Sequence, residues 1–305
     1  PTVSDSKKRK KPQYKSFRLQ KRIKHPAKKL PNWWQLFKKS LLLMKVNIKP
    51  LMVFFAVYAL LSILLVRGFG SVVNVDEIQT VLEDTVGISE SSIESGLTTF
   101  GLLLSEGTQS ATELGQLYQF ILLIIASLAI VWLYRQQQAG NEVTMKMAFY
   151  RGMYPLVPFV LVVMVIGLQL IPAAIGNFLF ATVTSNSLAV GALEQIVWLL
   201  LFLSTLLLSL YMVSSSLIAL FIVTLPEMTP MRALREAREL VRHRRFSVLR
   251  KVLMIFLICF IALFIFVLPI IFVAPVIAEW IFFALTILAV PFVIGYLFSL
   301  YRELL

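Results

Sequence analysis

Six long, uninterrupted runs of apolar residues constrain the fold of this chain more than any other feature. A helix in a soluble protein needs only one apolar face, whereas a helix that crosses lipid is apolar all round over about 20 residues. Only 15% of the residues are charged, against about 25% in an average globular domain. We therefore predict an all-α fold, a polytopic membrane helix bundle with about six transmembrane helices and cytosolic amphipathic helices. The predicted spans are Pro50–Val66, Gln116–Tyr134, Pro155–Ile171, Gln195–Thr224, Val252–Val267 and Ile281–Leu300.

Charged residues alternate in sign along the loops between these spans. Sixteen of the 29 Lys and Arg residues lie in residues 1–50, and eight more lie between Arg232 and Lys251. Residues 67–115 instead contain eight acidic residues and one basic residue. Basic residues in short loops stay on the cytoplasmic side. We therefore predict a multi-pass protein of a bacterial-type cell membrane, with N- and C-termini cytoplasmic and the acidic loop 67–115 external.

The first 30 residues are polybasic and have no hydrophobic periodicity. Such a segment repels itself and cannot bury apolar surface, so residues 1–30 are predicted to form a disordered cytosolic tail ahead of a membrane domain at 31–305. Three interpretations of the tail stay open. It binds anionic lipid headgroups, it recruits a cytosolic protein, a ribosome or nucleic acid, or it acts only as a topology signal.

A short segment rich in aromatic and basic residues follows the tail. Indole rings favour the headgroup region, and lysine side chains extend from an apolar face to reach phosphates. We therefore predict a helix at the membrane interface. Its interface residues are Trp33, Trp34, Phe37, Lys38 and Lys39.

Residues 229–246 predict a second amphipathic helix, on the cytosolic side. Thr229 suits the N-cap and Pro230 the first helical position. An apolar face is predicted from Met231, Leu234, Ala237 and Val241. The basic residues predicted to lie at the headgroups are Arg242, Arg244 and Arg245. The helix either seats the bundle in an anionic leaflet or docks a cytosolic partner.

A weak periodicity accompanies these segments. A cytosolic amphipathic segment followed by a pair of spans occurs three times, opening near Trp33, Thr144 and Thr229. Prolines are expected to interrupt the spans, because proline lacks the amide hydrogen that a helix needs. We expect Pro172 to kink or end the third span before a loop at Gly176–Gly191, and a tight turn at Pro269–Pro275.

The segment between the fourth and fifth spans carries a loose motif of proline, small, leucine and basic–aromatic residues. Its members are Pro230, Ala233, Leu234, Ala237, Leu240, Arg244, Arg245 and Phe246, and the shorter Ala148–Gly152 precedes the third span. The chain resembles the six-span membrane domain found beside some bacterial glycerophosphodiester phosphodiesterases and in many small membrane proteins. The resemblance implies a fold and not an activity.

Residues suited to catalysis or metal binding are scarce in the sequence. The two histidines, His25 and His243, have no carboxylates at metal-ligand spacing, and Cys259 is the single cysteine. No phosphate-binding glycine loop or nucleophile motif occurs in the sequence. We therefore predict no catalytic, cofactor-binding or metal-binding residues, and a protein that is not an enzyme.

Polar residues inside the predicted spans are mostly hydroxyls. Ion-coupled carriers usually place charged residues near the middle of the membrane, and none occurs there in this sequence. Thr205, Ser209 and Ser216 share one helical stripe, which serves either helix packing or a pore. The sequence thus favours a structural or accessory envelope role. A permease-like subunit for a small or amphipathic solute and a membrane anchor acting through the basic tail are the alternatives.

Overall fold

The computed structural model describes residues 31–67, 100, 113–141, 143–185, 191–242, 244–273 and 275–305. The predicted disordered tail, almost all of the acidic loop and His243 lie outside these residues. Residues 32–305 form a single structural unit.

The described residues fold into helices and contain no strand, which confirms the predicted all-α class. Six helices are long and apolar enough to cross a membrane, in agreement with the six predicted spans: α2, α3, α5, α6, α8 and α9. The helices are α1 (Trp33–Val46), α2 (Ile48–Leu61, continued by a π-helical turn at Ser62–Arg67), α3 (Glu113–Gln138), α4 (Met145–Gly152), α5 (Leu156–Ser185), α6 (Ala192–Ile222), α7 (Pro230–Val241), α8 (Arg245–Val273) and α9 (Pro275–Leu304).

The third span continues well past its proline. Helix α5 contains Pro172 and runs to Ser185, so the loop predicted to begin at Gly176 was wrong. Pro172 disrupts the backbone hydrogen bonds of its turn, but the next amide, that of Ala173, donates to the Ser209 hydroxyl on α6 at 3.0 Å. A neighbouring helix can satisfy backbone groups in this way inside lipid.

The predicted turn at Pro269–Pro275 was also wrong. Helix α8 contains Pro269 and continues to Val273, and Pro275 is the first residue of α9. Proline is well suited to the first turn of a helix, where its missing amide hydrogen has no intrahelical acceptor. The connection between the last two spans is therefore shorter than expected.

The amphipathic helix predicted at residues 229–246 is shorter than expected, and its predicted apolar face is confirmed at Ala237 and Val241 but not at Met231. It ends at Val241, and Arg245 already belongs to α8. Its buried face consists of Ala233, Ala237 and Val241, whereas Met231 is 77% exposed. Small residues face the bundle because α7 packs closely against α6, which leaves the larger Met231 outside.

The threefold repeat of a short helix followed by two spans is present in the structure. The short helices α1, α4 and α7 have Asn32, Thr144 and Thr229 as N-caps, close to the predicted openings. Helix α4 packs against α3, and α7 packs against α6, so that each lies on the second span of the preceding pair. Helix α1 packs against α9, the second span of the last pair. The three repeats therefore form a closed cycle.

The main core lies where α1, α4 and α7 meet the spans. We call this part of the bundle the basic end. Its buried residues come from these three helices and from the adjoining ends of the spans, with α3 and α9 the most enclosed spans. A smaller cluster lies at the other end of α8 and α9 and includes Val267, Ala278 and Phe282. Tight packing is thus concentrated at the end that carries the short helices.

Candidate functional site

The predicted interface residues of α1 lie on two different faces. Leu36, Ser40 and Leu43 are buried. On the outer side, Trp34 is 46% exposed and stacks on Phe37 with ring centroids 5.1 Å apart. The Lys38 ammonium lies 5.5 Å from the centre of the Trp34 ring, and the Trp33 ring meets that of Trp34 edge-on. The exposed face therefore combines aromatic rings with a basic group.

Lys39 contacts another helix of the bundle. Its ammonium forms an ion pair with Glu303 near the end of α9. Lys251 of α8 is buried, and its charge lies within range of the Glu303 carboxylate. The carboxylate therefore links α1 and α9 and lies near a second positive charge from α8.

A close approach of three helices fixes α1 on α9. The Ser40 hydroxyl donates to the carbonyl of Phe292 at 2.8 Å, and the Tyr134 hydroxyl of α3 donates to the carbonyl of Pro291 at 3.0 Å. A Cβ atom at Gly295 would lie only 3.0 Å from the Ser40 hydroxyl and 3.2 Å from the Tyr134 ring. Glycine thus permits a closer contact between the helices here than a residue with a Cβ atom would.

The hydroxyl stripe of α6 lies against α5. The Ser216 hydroxyl donates to the side-chain oxygen of Gln169 at 2.8 Å, and Ser209 accepts the amide of Ala173. Ser209 and Ser216 are buried. A Cβ atom at Gly176 would fall 2.0 Å from the Thr205 hydroxyl. We call this contact the α5–α6 polar seam; its hydroxyls meet an amide, a side chain and a glycine of the neighbouring helix.

The three arginines predicted to lie at the headgroups follow α7, and only Arg245 belongs to α8. The Arg245 guanidinium is 5.1 Å from the centre of the Tyr211 ring on α6. Phe246 is 78% exposed, and its ring lies 6.1 Å from the same tyrosine. Arg242 is exposed and Arg244 is half-buried in the turn before α8. One of the three predicted arginines therefore packs on an aromatic ring of the bundle.

Arg135, which the sequence prediction did not single out, caps a neighbouring span. Its guanidinium donates to the carbonyls of Phe221 and Thr224 at 3.1 and 2.7 Å and to the Thr224 hydroxyl at 2.7 Å. These groups lie at the C-terminal end of α6, in its last turn and just after it, where carbonyls lack intrahelical partners and carry partial negative charge. A single arginine at the end of an apolar run was the only signal for this role.

A cavity of about 1190 Å³ adjoins Arg135 at the basic end. Its walls come from the end of α3, from the connection between α4 and α5, and from the turn between α6 and α7. Charged and aromatic lining residues include Arg135, Arg151, Glu227, Trp132, Tyr150 and Tyr154. We call it the basic-end cavity. The sequence prediction missed it because its walls come from three separate segments.

Close packing of α4 on α3 supports one wall of the cavity. A Cβ atom at Gly152 would lie 3.2 Å from the carbonyl oxygen of Leu128 and 3.3 Å from the Cα of Ala129. The adjacent Arg151 and Tyr150 are exposed. Because Gly152 has no side chain, the exposed end of α4 can pack directly against the backbone of α3.

No group of three His, Cys, Asp or Glu residues that could hold a metal ion occurs in the part of the chain that the structure describes. Comparison with known proteins gives no match: no family model, no curated protein and no solved structure is similar to this chain.

Proposed function

We propose that this protein is a non-enzymatic component of a bacterial-type cytoplasmic membrane with a structural or accessory role in the envelope. The α5–α6 polar seam is the observation that supports this role most directly. Gln169 and Ser216 bond to each other, and Ser209 holds the backbone after Pro172. Polar groups engaged in this way stabilise helix contacts.

The orientation proposed for this role has both termini in the cytoplasm, so that the basic end faces the cytoplasm. It rests on the positive charge of the segments around α1, α4 and α7. A reporter of membrane sidedness fused after Leu305 and one inserted at Gly107 should then report opposite sides. Two reporters on the same side would contradict the proposal.

A complementation experiment separates a structural role from transport. The chromosomal gene is depleted, envelope integrity is measured by sensitivity to detergent, and variants are tested for rescue. We expect a Gln169→Leu/Ser216→Ala double variant to rescue, because it replaces a packing contact with apolar groups of similar size. Gly295→Leu should fail, because it separates α1 from α9. Loss of rescue by the double variant at normal protein level would favour a solute path through the seam.

A permease-like subunit remains the second candidate, supported by the basic-end cavity. A carrier that uses this cavity would need it to connect with the opposite side of the membrane. Solute uptake should then depend on the cavity residue Tyr154 and also on the seam residue Gln169. Uptake that was insensitive to changes at Gln169 would leave the accessory role preferred.

The basic tail, residues 1–30, is proposed to bind anionic headgroups, with a cytosolic protein or ribosome as the alternative partner. Its twelve basic residues support electrostatic binding, above all the five consecutive ones at Lys7–Lys11. Deleting residues 1–30 should reduce binding to anionic vesicles and leave insertion intact. Co-purification of ribosomes with the full chain, lost on deletion, would instead favour the anchor function. The resemblance to the membrane domain associated with phosphodiesterases stays an expectation about fold.

A further inference from the structure

The basic-end cavity has charges of opposite sign on different segments of its wall. Arg135 lies at the end of α3 and Arg151 at the end of α4, whereas Glu227 lies in the turn between α6 and α7. Three of the five N–H donors of Arg135 are used on the end of α6. Arg151 and Glu227 are both exposed. A ligand in this cavity therefore meets a positive group on one side and a carboxylate on another.

Glu227 has an unusual backbone conformation. Its φ of 61° makes it the one non-glycine residue with positive φ in the described part of the chain. Glycine or asparagine adopts this left-handed conformation more readily. Glu227 thus combines a strained backbone with a place on the wall of the cavity.

The level of the cavity in the bundle fits a lipid headgroup. The apolar span α3 ends at Gln138, α5 begins at Leu156 and α6 ends at Ile222, so the cavity lies beside the ends of three apolar spans. Trp132, Tyr150 and Tyr154 line it, and Tyr150 and Tyr154 are 87% and 90% exposed. Such rings favour the headgroup region and attract ammonium groups.

The surface beside the cavity suits an acyl chain. The apolar Leu128, Pro158 and Val223 contribute to the cavity wall, and Val157 and Leu161, which are close to Pro158 in the first turns of α5, are exposed. A volume of about 1190 Å³ exceeds the upper end of the range of about 300–1,000 Å³ for small-molecule sites. It is thus large enough for a headgroup together with its glycerol.

We propose that the basic-end cavity binds the headgroup of an aminophospholipid, with its phosphate at Arg151 and its amine at Glu227. Arg135 is a positioning residue, because it fixes the end of α6 from which the turn with Glu227 departs. This site goes beyond the accessory role proposed above and does not rest on it.

The test uses the full chain in a neutral detergent and short-chain phospholipids as probes, with bound lipid counted by native mass spectrometry. We expect phosphatidylethanolamine to bind about tenfold more tightly than phosphatidylglycerol, since a charge-assisted contact to the amine is lost in the latter. Arg151→Gln should weaken both lipids about tenfold. Glu227→Gly should remove the preference for phosphatidylethanolamine while keeping or raising the melting temperature, because glycine relieves the left-handed backbone.

Matched controls come from α4, which contains Arg151, and from α7, which follows the turn with Glu227. Lys146→Gln removes a charge from α4 outside the cavity, and Glu239→Gln removes one from α7; neither should change lipid binding. Equal affinity of the wild type for the two lipids, or a loss with Lys146→Gln as large as with Arg151→Gln, would overturn the proposal. Equally tight binding of water-soluble glycerophosphoethanolamine would also overturn it, because the ligand would then be a free headgroup and not a lipid.

Discussion

The hydroxyl of Ser209 on α6 accepts the amide of Ala173 on α5, the residue directly after Pro172, at 3.0 Å. Pro172 itself has no amide hydrogen, and its ring hinders the carbonyl four residues earlier. Ser209 thus supplies an acceptor from the neighbouring helix to a backbone N–H in the turn that Pro172 disturbs. This contact explains why α5 continues to Ser185 where a loop was expected.

Replacing Ser209 with alanine should therefore destabilise the pair α5–α6. The loss should be about 0.6 kcal/mol, the average for hydrogen bonds between membrane helices, and at most about 1.7 kcal/mol. Thermal unfolding in detergent would measure it. Ser204→Ala is the matched control, because the Ser204 hydroxyl is exposed and bonds only within α6, to the carbonyl of Leu201. Equal shifts for the two variants would contradict a role for the contact with Ala173.

Gly176→Ala should also destabilise this pair, by about 1 to 3 kcal/mol. The new methyl would lie 2.0 Å from the Thr205 hydroxyl and 3.1 Å from the Thr205 Cβ. Thr205→Ala should restore most of the loss, so a double-mutant cycle would show strong coupling. Gly167→Ala on the same helix serves as the control, since no atom lies within 4 Å of its added Cβ, and it should be neutral or slightly stabilising.

The spans themselves were predictable because a helix in lipid needs apolar residues on every side, which leaves a simple pattern in the sequence. Their ends were less predictable where prolines occur. Pro172 and Pro269 indicate a break only when no other helix supplies hydrogen bonds, and Ser209 lies 37 positions away from Pro172 in the chain. A single sequence does not show which residues meet across such a distance.

The orientation of the short helices was predicted only in part for a related reason. Hydrophobic spacing placed Met231 on the apolar face of α7 together with Ala237 and Val241; the latter two are buried, but Ala233 is buried and Met231 is exposed. The choice depends on how closely α7 approaches α6, and small residues permit the closer approach. The basic-end cavity was not predictable, because Arg151 and Glu227 are separated by 75 residues of intervening chain and come together only through the packing of hairpins.

Arg135→Lys should destabilise the end of α6 more than Thr224→Ala does. Lysine retains the charge, but its ammonium group cannot contact the Phe221 carbonyl, the Thr224 carbonyl and the Thr224 hydroxyl together. The planar guanidinium of arginine contacts all three. We expect about 1.5 to 3 kcal/mol for Arg135→Lys, and about 1 kcal/mol for Thr224→Ala, which removes only one acceptor. Hydrogen exchange of the Val223 and Leu225 amides would measure the loss of stability at the end of α6. Unchanged exchange there in Arg135→Lys would exclude the capping role.

Helix α1 contacts α9 and the membrane surface through different residues, so the two contacts can be tested separately. Ser40 and Lys39 contact α9 through Phe292 and Glu303, whereas Trp34 lies on the exposed face. Ser40→Leu places a larger side chain beside Gly295. Space is short there, because a Cβ atom added at Gly295 would already lie 3.0 Å from the Ser40 hydroxyl. We expect the substitution to release α1 from α9 and to raise amide exchange in α1 by about five- to 150-fold, since overpacking costs about 1 to 3 kcal/mol.

Replacing both Trp33 and Trp34 with serine should act differently. Their rings meet each other and Phe37 on the outer face, so the double variant should weaken the hold of α1 on the headgroups and loosen the position of α2 in the membrane. Amide exchange at Leu36 and Leu43, which face the bundle, should rise less than in Ser40→Leu. Depth measurements with lipid-attached quenchers, read from a fluorophore at position 42 on the exposed face, would show the outward shift. If the tryptophan variant released α1 from α9 as fully as Ser40→Leu does, the two faces of α1 would not have the separate roles inferred from their contacts.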